Sequence, residues 1–337
     1  ADAALTVSAA TVGLALGVGY SLLRYTLDRR VRSAESVERE TGLTVVGAIP
    51  DEKNLTSESR LIPFDGANST TSKHFDRYAV SEAMRELRTN IQYMSVDNPP
   101  RSIVVTSSLP GEGKSTTAAN LAITLASSGE NVVLIDGDLR RPMVATIFGL
   151  VGDAGVTDVL AGRAQVADVI QSVGAGGKLR VLAAGRIPPN PSELLGSQRM
   201  HDLVAELAQT AIVIIDAPPL IPVTDAAVLT HRADGALIVA AVGRTTIDAL
   251  TKAQQNLDRA GGKALGVVLN RVPRKGSGAA YYGYQYTGAY YRDEADAPVP
   301  ASLGHDEPAA APVPASLGRQ TPSGKGEPAL RRATRGA

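Results

Sequence analysis

Six short runs in this chain are apolar throughout: IVVTS (103–107), NVVLID (131–136), LRVLAAG (179–185), AIVIID (211–216), GALIVAAV (235–242) and ALGVVLN (264–270), with segments of helical length between them. A strand that does not alternate apolar with polar residues is covered on both faces, and strands joined through helices run parallel. The expected fold is therefore α/β: a parallel sheet with helices on both faces, in which a phosphate ligand sits at the carboxyl ends of the strands. Composition agrees. Hydrophobic residues make up 44% of the chain, but Trp is absent and Phe numbers three, so aliphatic packing must dominate. At roughly 150 residues per domain, 337 residues allow about two domains. Lys plus Arg equals Asp plus Glu at 34 each, which argues against a chain held on nucleic acid by bulk charge. The absence of Cys removes disulfides, thiolate zinc sites and cysteine nucleophiles, and the four His have no metal-ligand spacing.

The N-terminal region reads differently. From Ala3 to Leu23 there is no charged residue, a stretch long enough as a helix to cross the roughly 30 Å hydrocarbon core. Gly13 and Gly17 stand in G-x-x-x-G spacing. Arg24, Arg29, Arg30 and Arg32 follow, so the positive-inside bias places the rest of the chain in the cytoplasm of a membrane-anchored protein. A signal peptide is the alternative, but no basic region precedes the apolar run. The chain does not begin with Met, and we expect it to be the C-terminal part of a longer polypeptide.

These signals divide the chain into a transmembrane helix with a basic juxtamembrane segment (1–32), a junction strand and linker (33–75) containing GLTVVGAIP, a phosphate-loop domain (76–275), a tyrosine-rich segment (276–291) and a Pro/Ala/Gly-rich tail (292–337). A helix from about Tyr78 to Met94 is predicted by the spacing of Val80, Met84, Leu87 and Ile91. The tail repeats APVPASLG and has too little apolar surface to offset ordering entropy, so it is expected to be disordered.

Three motifs carry chemistry. After the first of the six runs comes Ser107 to Thr116, which keeps Gly111, Gly113, Lys114 and Ser115 of the phosphate-loop pattern but has Ser108 where its first Gly would stand. Lys114 is expected at the β and γ phosphates of a nucleotide and the Ser115 hydroxyl on Mg²⁺, with Gly111, Glu112, Gly113 and Thr116 completing the nucleotide contact. A Gly-rich turn before an ordinary helix is the bland alternative. The next run ends in Asp136-Gly137-Asp138, two acids suited to holding a cation's waters or accepting a proton from an attacking hydroxyl, or else simply capping a turn. A third acid, Asp216, ends Ile212–Ile215 where a phosphate-loop protein carries its Mg²⁺-organising Asp.

As a set, PGEGKST, LIDGDLR and IIDAPP resemble the Walker A, A′ and B motifs of the bacterial tyrosine kinases of capsule and exopolysaccharide synthesis, the BY-kinases. Glu82-x-x-Arg85-x-x-Arg88, GVTDVLAG and AGRIPPNPSELL add to the likeness, and the N-terminal helix with GLTVVGAIP resembles the end of a fused polysaccharide chain-length-determinant adaptor. The resemblance implies an ATP- and Mg²⁺-dependent kinase. Lys114 and Ser115 would meet phosphates and metal, Asp138 and Asp216 would organise the metal, and Asp136 is the leading candidate for base, with Asp138 the alternative. Glu82, Arg85 and Arg88 would build a ring of copies that phosphorylate one another's tails. The acceptors would be Tyr281, Tyr282, Tyr284, Tyr286, Tyr290 and Tyr291. Implied partners are further copies, the polysaccharide chain-length and export machinery, the bacterial cell membrane and a cognate tyrosine phosphatase, with no nucleic acid. Asn270 resembles the base-contacting Asn of related nucleotide switches, although a strand-end Asn also forms turns.

Two other readings compete. Partition and septum-positioning ATPases carry a signature Lys five residues before the loop Lys, where this chain has Leu109. A nucleotide-binding scaffold of a polysaccharide assembly would need less of the acid chemistry that Asp136 and Asp138 offer.

Overall fold

The computed structural model describes residues 13–21, 28–51, 61–63, 72–95, 97–174 and 176–273. The tyrosine segment and the Pro/Ala/Gly-rich tail lie outside these residues.

Each of the six apolar runs forms a strand: β2 (Ser102–Ser107), β3 (Val132–Asp136), β5 (Leu179–Leu182), β6 (Ile212–Asp216), β7 (Gly235–Ala241) and β8 (Ala264–Val272). Two more complete an eight-stranded sheet, β1 (Val45–Pro50) at one edge and β4 (Gln171–Val173) at the other, in the order β1-β8-β7-β2-β6-β3-β5-β4. Every pairing is parallel except β4 with β5.

The period of two along each strand sorts the core into two layers. Ile103, Val105, Leu134, Ile214, Leu237 and Val239 face a layer formed by α2 (Ser72–Tyr93) and α3 (Lys114–Ser127). Val104, Val133, Ile135, Val213, Ile215 and Ile238 face the opposite layer, which includes α1 (Ala34–Thr41), α8 (Gln198–Thr210), α9 (Asp225–His231) and α10 (Ile247–Arg259). Between β3 and β6 run the short helices α4 (Val144–Phe148), α5 (Val156–Leu160), α6 (Val166–Val169) and α7 (Pro191–Leu195).

Two expectations change. The junction strand belongs to the sheet as an edge strand: Val45 is in register with Val267, and Val46 and Ile49 are core residues. The nucleotide-binding fold therefore draws on residues well before 76. Its membership of the sheet leaves no local trace because β8, its partner, is more than 200 residues away in the chain. The helix expected from Tyr78 begins six residues earlier, at Ser72, while Val80, Met84, Leu87 and Ile91 are buried along one face as predicted.

The expected membrane span lies mostly outside the described residues. Among the described residues no helix is long and apolar enough to cross a bilayer. Of the predicted span only residues 13–21 are described; they are helical, about 13 Å long, with Leu14, Leu16, Val18 and Tyr20 exposed. Among the described residues of the basic segment, Arg32 pairs with Asp28, and Arg29 with Glu40 and Asp248. Its backbone is also tied down, because Val31 N–H donates to Thr245 O at 2.8 Å and Val31 O accepts from Gly243 N–H at 2.9 Å.

Candidate active site

The strand order β2-β6-β3 brings three carboxyl ends side by side, and each delivers one motif. Asp136 and Asp216 are register partners across β3 and β6, and the phosphate loop leaves β2 next to them. The loop turns through two residues that need positive φ, Gly111 (80°) and Gly113 (100°). It leads into α3, whose N-terminus has no side-chain cap, so its first amides stay available to an anion.

Lys114 Nζ lies 2.8 Å from Asp138 Oδ2, 3.3 Å from Asp216 Oδ1 and 3.2 Å from Ser115 Oγ. Burial works against its charge, but Asp216 and Asp138 outweigh that and hold its pKa above the ordinary lysine value. Asp216 is fully buried, and its Oδ2 has no hydrogen-bond partner. Burial raises its pKa against the pull of Lys114. A buried carboxylate oxygen without a donor is costly, and this one suits a cation or an ordered water. The residues present thus fit a magnesium-bound triphosphate: glycines that open the loop, a committed lysine, a hydroxyl and an unsatisfied acid.

The two neighbouring acids of the second motif part ways. Asp138 lines a cavity of about 540 Å³, together with Gly111, Gly113, Lys114, Ser115 and Thr116. Asp136 does not line it. Its Oδ2 accepts from Met143 N–H (3.0 Å) and Val144 N–H (2.9 Å), and its Oδ1 from Asp138 N–H (3.2 Å), so both oxygens serve to fold the loop that presents Asp138. Burial, with Asp216 adding to it, pushes Asp136 up to about 7. Of the two candidates for base, the acid at the cavity wall is Asp138, while Asp136 faces the loop backbone.

Glu112 and Asn270, both expected to touch nucleotide, also turn inward. The Glu112 carboxylate is buried beneath the loop, accepting from Leu109 N–H at 2.9 Å and from the Thr245 hydroxyl. Burial raises its pKa in spite of these bonds. Asn270 Nδ2 donates to Glu112 O at 2.9 Å while its Oδ1 accepts from Arg271 N–H, so both polar atoms have partners within the chain and the side chain does not line the cavity. Arg271, at φ 60°, donates from Nη2 to Gly111 O at 3.0 Å. The end of β8 thus grips two successive loop carbonyls, which turns those peptides' N–H groups away from it.

Two contributors escaped the sequence reading. Arg140 lines the cavity and donates from Nε and Nη2 to both oxygens of buried Asp225 (2.8 and 3.1 Å), with Ser192 hydrogen-bonded to the same acid. Burial works against the charge on Asp225, yet the bonds from Arg140 and Ser192 keep its carboxyl below the usual range. Leu61, assigned to a linker, lines the cavity, and Ile62 N–H donates to Asn120 Oδ1 on α3 at 2.9 Å. The Asp-x-Asp-x-Arg motif held a hint of the first; nothing local marked the second.

Of the expected interface, Glu82 and Arg85 are exposed and pair with each other on α2, whereas Arg88 has its Nε buried without a partner. The six acceptor tyrosines lie outside the described residues.

Fold and loop together define a class: residues 103–284 match the family described as the CobQ/CobB/MinD/ParA nucleotide binding domain (CbiA). Within that class the chain belongs to the bacterial tyrosine kinases, the BY-kinase family. It is 43% identical over 205 residues to the tyrosine-protein kinase YwqD of Bacillus subtilis (strain 168), covering 60% of this chain and 86% of that one. It is 34% identical over 283 residues to the tyrosine-protein kinase etk of Escherichia coli (strain K12), covering 80% of this chain but 39% of that one. The solved kinase domain of Escherichia coli ETK superposes with a TM-score of 0.63 at 31% identity, covering 72% of this chain and 95% of that domain. The chain thus spans most of one relative's length and well under half of the other's.

Proposed function

We propose that this chain is an ATP-dependent protein-tyrosine kinase that moves the γ-phosphoryl group of ATP to tyrosines of the C-terminal cluster on a second copy. The observation that carries the reading is the position of Lys114 Nζ between Asp138 and Asp216 on the wall of the phosphate-loop cavity. Bound Mg²⁺ would neutralise charge on the phosphates, held by Ser115 with Asp216 and Asp138 close by.

Lys114 offers the charge for the β and γ phosphates. Once its ammonium turns to them, the Asp138 carboxylate is released from its ion pair and accepts the phenolic proton. The phenol oxygen then bonds to the γ phosphorus as the bond from that phosphorus to the β–γ bridging oxygen breaks, leaving ADP. Asp136 holds the loop that aims Asp138, and Glu112, Asn270 and Arg271 hold the phosphate loop.

The same reading places the chain in a self-phosphorylating ring using the exposed Glu82 and Arg85 together with Arg88. It would lie at the bacterial cell membrane through the apolar N-terminal stretch, beside polysaccharide chain-length and export machinery, with a tyrosine phosphatase to reverse the modification. The test is incubation with labelled ATP and Mg²⁺ followed by phosphoamino-acid analysis, beside Lys114→Met and a variant with all six cluster tyrosines changed to Phe. Label on Tyr that is lost in both variants is the expected result; free phosphate without phosphotyrosine would make the chain an ATPase instead.

A further inference from the structure

Two adjacent arginines follow Asp138, and the structure treats them in opposite ways. Arg140 is spent: both oxygens of buried Asp225 hold its guanidinium. Arg141 is exposed, lines the same cavity and makes no ion pair with any acid among the described residues. Its backbone is fixed beside the reacting groups, because its N–H donates to Asp138 Oδ1 at 3.0 Å. Of the cavity's other cations, Lys114 is committed to Asp138 and Asp216, and Arg271 donates to Gly111 O. A guanidinium in that cavity, paired with no acid, is a ready site for an anion that can accept two parallel hydrogen bonds, phosphate above all.

We propose that Arg141 binds the phosphate of an already modified tyrosine on the incoming tail, so that a tail carrying one phosphotyrosine is recognised ahead of an unmodified one. This rests on the kinase reading above and adds an order to the modification. The spacing of the acceptors suits it. Tyr281 and Tyr282 are adjacent, as are Tyr290 and Tyr291, and Tyr282, Tyr284 and Tyr286 alternate. In an extended tail at roughly 3.3 Å per residue, alternate side chains share a face, so Tyr282, Tyr284 and Tyr286 stand about 7 Å apart, within the length of an arginine side chain. A phosphate there brings about −1.5 to −2 charge to a cation with no acid of its own. Each transfer would then create the group that holds the tail for the next one.

The experiment uses the full chain with its six cluster tyrosines changed to Phe, and peptides of residues 278–294 either unmodified or phosphorylated on Tyr282 alone. Asp293 and Glu294 are present in both peptides, so their carboxylates cancel. Fluorescence anisotropy is expected to show the phosphopeptide binding about tenfold more tightly, a ratio that falls towards one in Arg141→Gln and is partly kept in Arg141→Lys. The ratio of kcat/KM for the two peptides should follow. Equal binding of the two peptides by the Arg141 protein would overturn the proposal, as would a ratio that survives in Arg141→Gln. So would a raised KM for ATP with equal losses on both peptides, which would assign Arg141 to the nucleotide. Circular dichroism verifies that the Gln variant is folded; should it not be, the Arg141 protein's own ratio and the Lys variant decide. If label reaches neither peptide nor the natural tail, the kinase reading fails, while the binding ratio still reports on Arg141.

Discussion

Asp216 and Asp225 are both fully buried, nine residues apart, yet they have opposite chemistry. Asp225 meets a guanidinium and a hydroxyl that satisfy both of its oxygens, and its pKa is lowered. Asp216 shares one lysine with Asp138, keeps one oxygen without a donor, and its pKa is raised. Burial is common to both, so the partners decide the direction. A completed acid is part of the scaffold; an incomplete one at the end of a strand is a place for something the fold does not supply.

The largest test of this contrast is Lys114→Met. It removes the cation that both the cavity acids and the phosphates use, and tyrosine labelling should fall by at least about 10²- to 10³-fold. A loss of less than tenfold would mean that another group carries the phosphate charge.

Next, the two buried acids should respond to amidation with opposite signs. Asp225→Asn leaves Arg140 with half a partner and should lower unfolding stability by about 2 kcal/mol, measured by urea denaturation. Asp216→Asn removes a charge that burial opposes, so the nucleotide-free protein should be as stable as before or more so, while Mg²⁺-dependent nucleotide binding is lost. Equal destabilisation by both variants would abolish the distinction.

The pH dependence divides in the same way. Asp136 titrates near 3.8 unfolded and is raised to about 7 in the fold, so the folded state holds the extra proton between those values. Stability of the nucleotide-free protein should therefore fall as pH rises from about 4 to 7, by an amount on the order of a few kcal/mol, with Asp216 and Glu112 pulling in the same direction. Asp225 works the other way: its contribution is present above the ordinary Asp value and is lost as pH falls through its lowered one. Melting curves from pH 3 to 8 separate the two, and a flat profile across pH 4 to 7 would contradict the raised acids.

The smallest effect is expected at the surface. Glu82→Ala breaks an exposed ion pair on α2 and should change stability by less than about 0.5 kcal/mol. Its consequence should appear instead in the oligomer distribution measured by analytical ultracentrifugation.

Much of the fold was legible because unbroken apolar runs have few ways to be buried. The six runs became the six inner strands, and two of them, β3 and β6, end in the paired Asp136 and Asp216 behind the site. β4 was not legible, since Gln171–Val173 is a short polar edge strand without a pattern. β1 looked like a junction, because a strand's pairing partner leaves no local trace. The roles of Asp136 and Asp138 were also beyond the sequence: two acids one residue apart look alike until the backbone N–H groups of Met143 and Val144 claim one of them. The same holds for Glu112 and Asn270, whose residue types suit a nucleotide contact equally well but whose positions behind the loop give them to its backbone.

What the sequence determined by itself was the class of sheet, the loop that meets phosphate and the family, because these depend on local composition and on spacing along the chain. Tertiary structure alone decided which acid faces the cavity, that Arg140 is held by Asp225 while Arg141 is not, and that β1 closes the sheet. Those outcomes depend on groups far apart in sequence meeting in a low-dielectric interior, where the partner present or absent within about 3 Å sets the charge state.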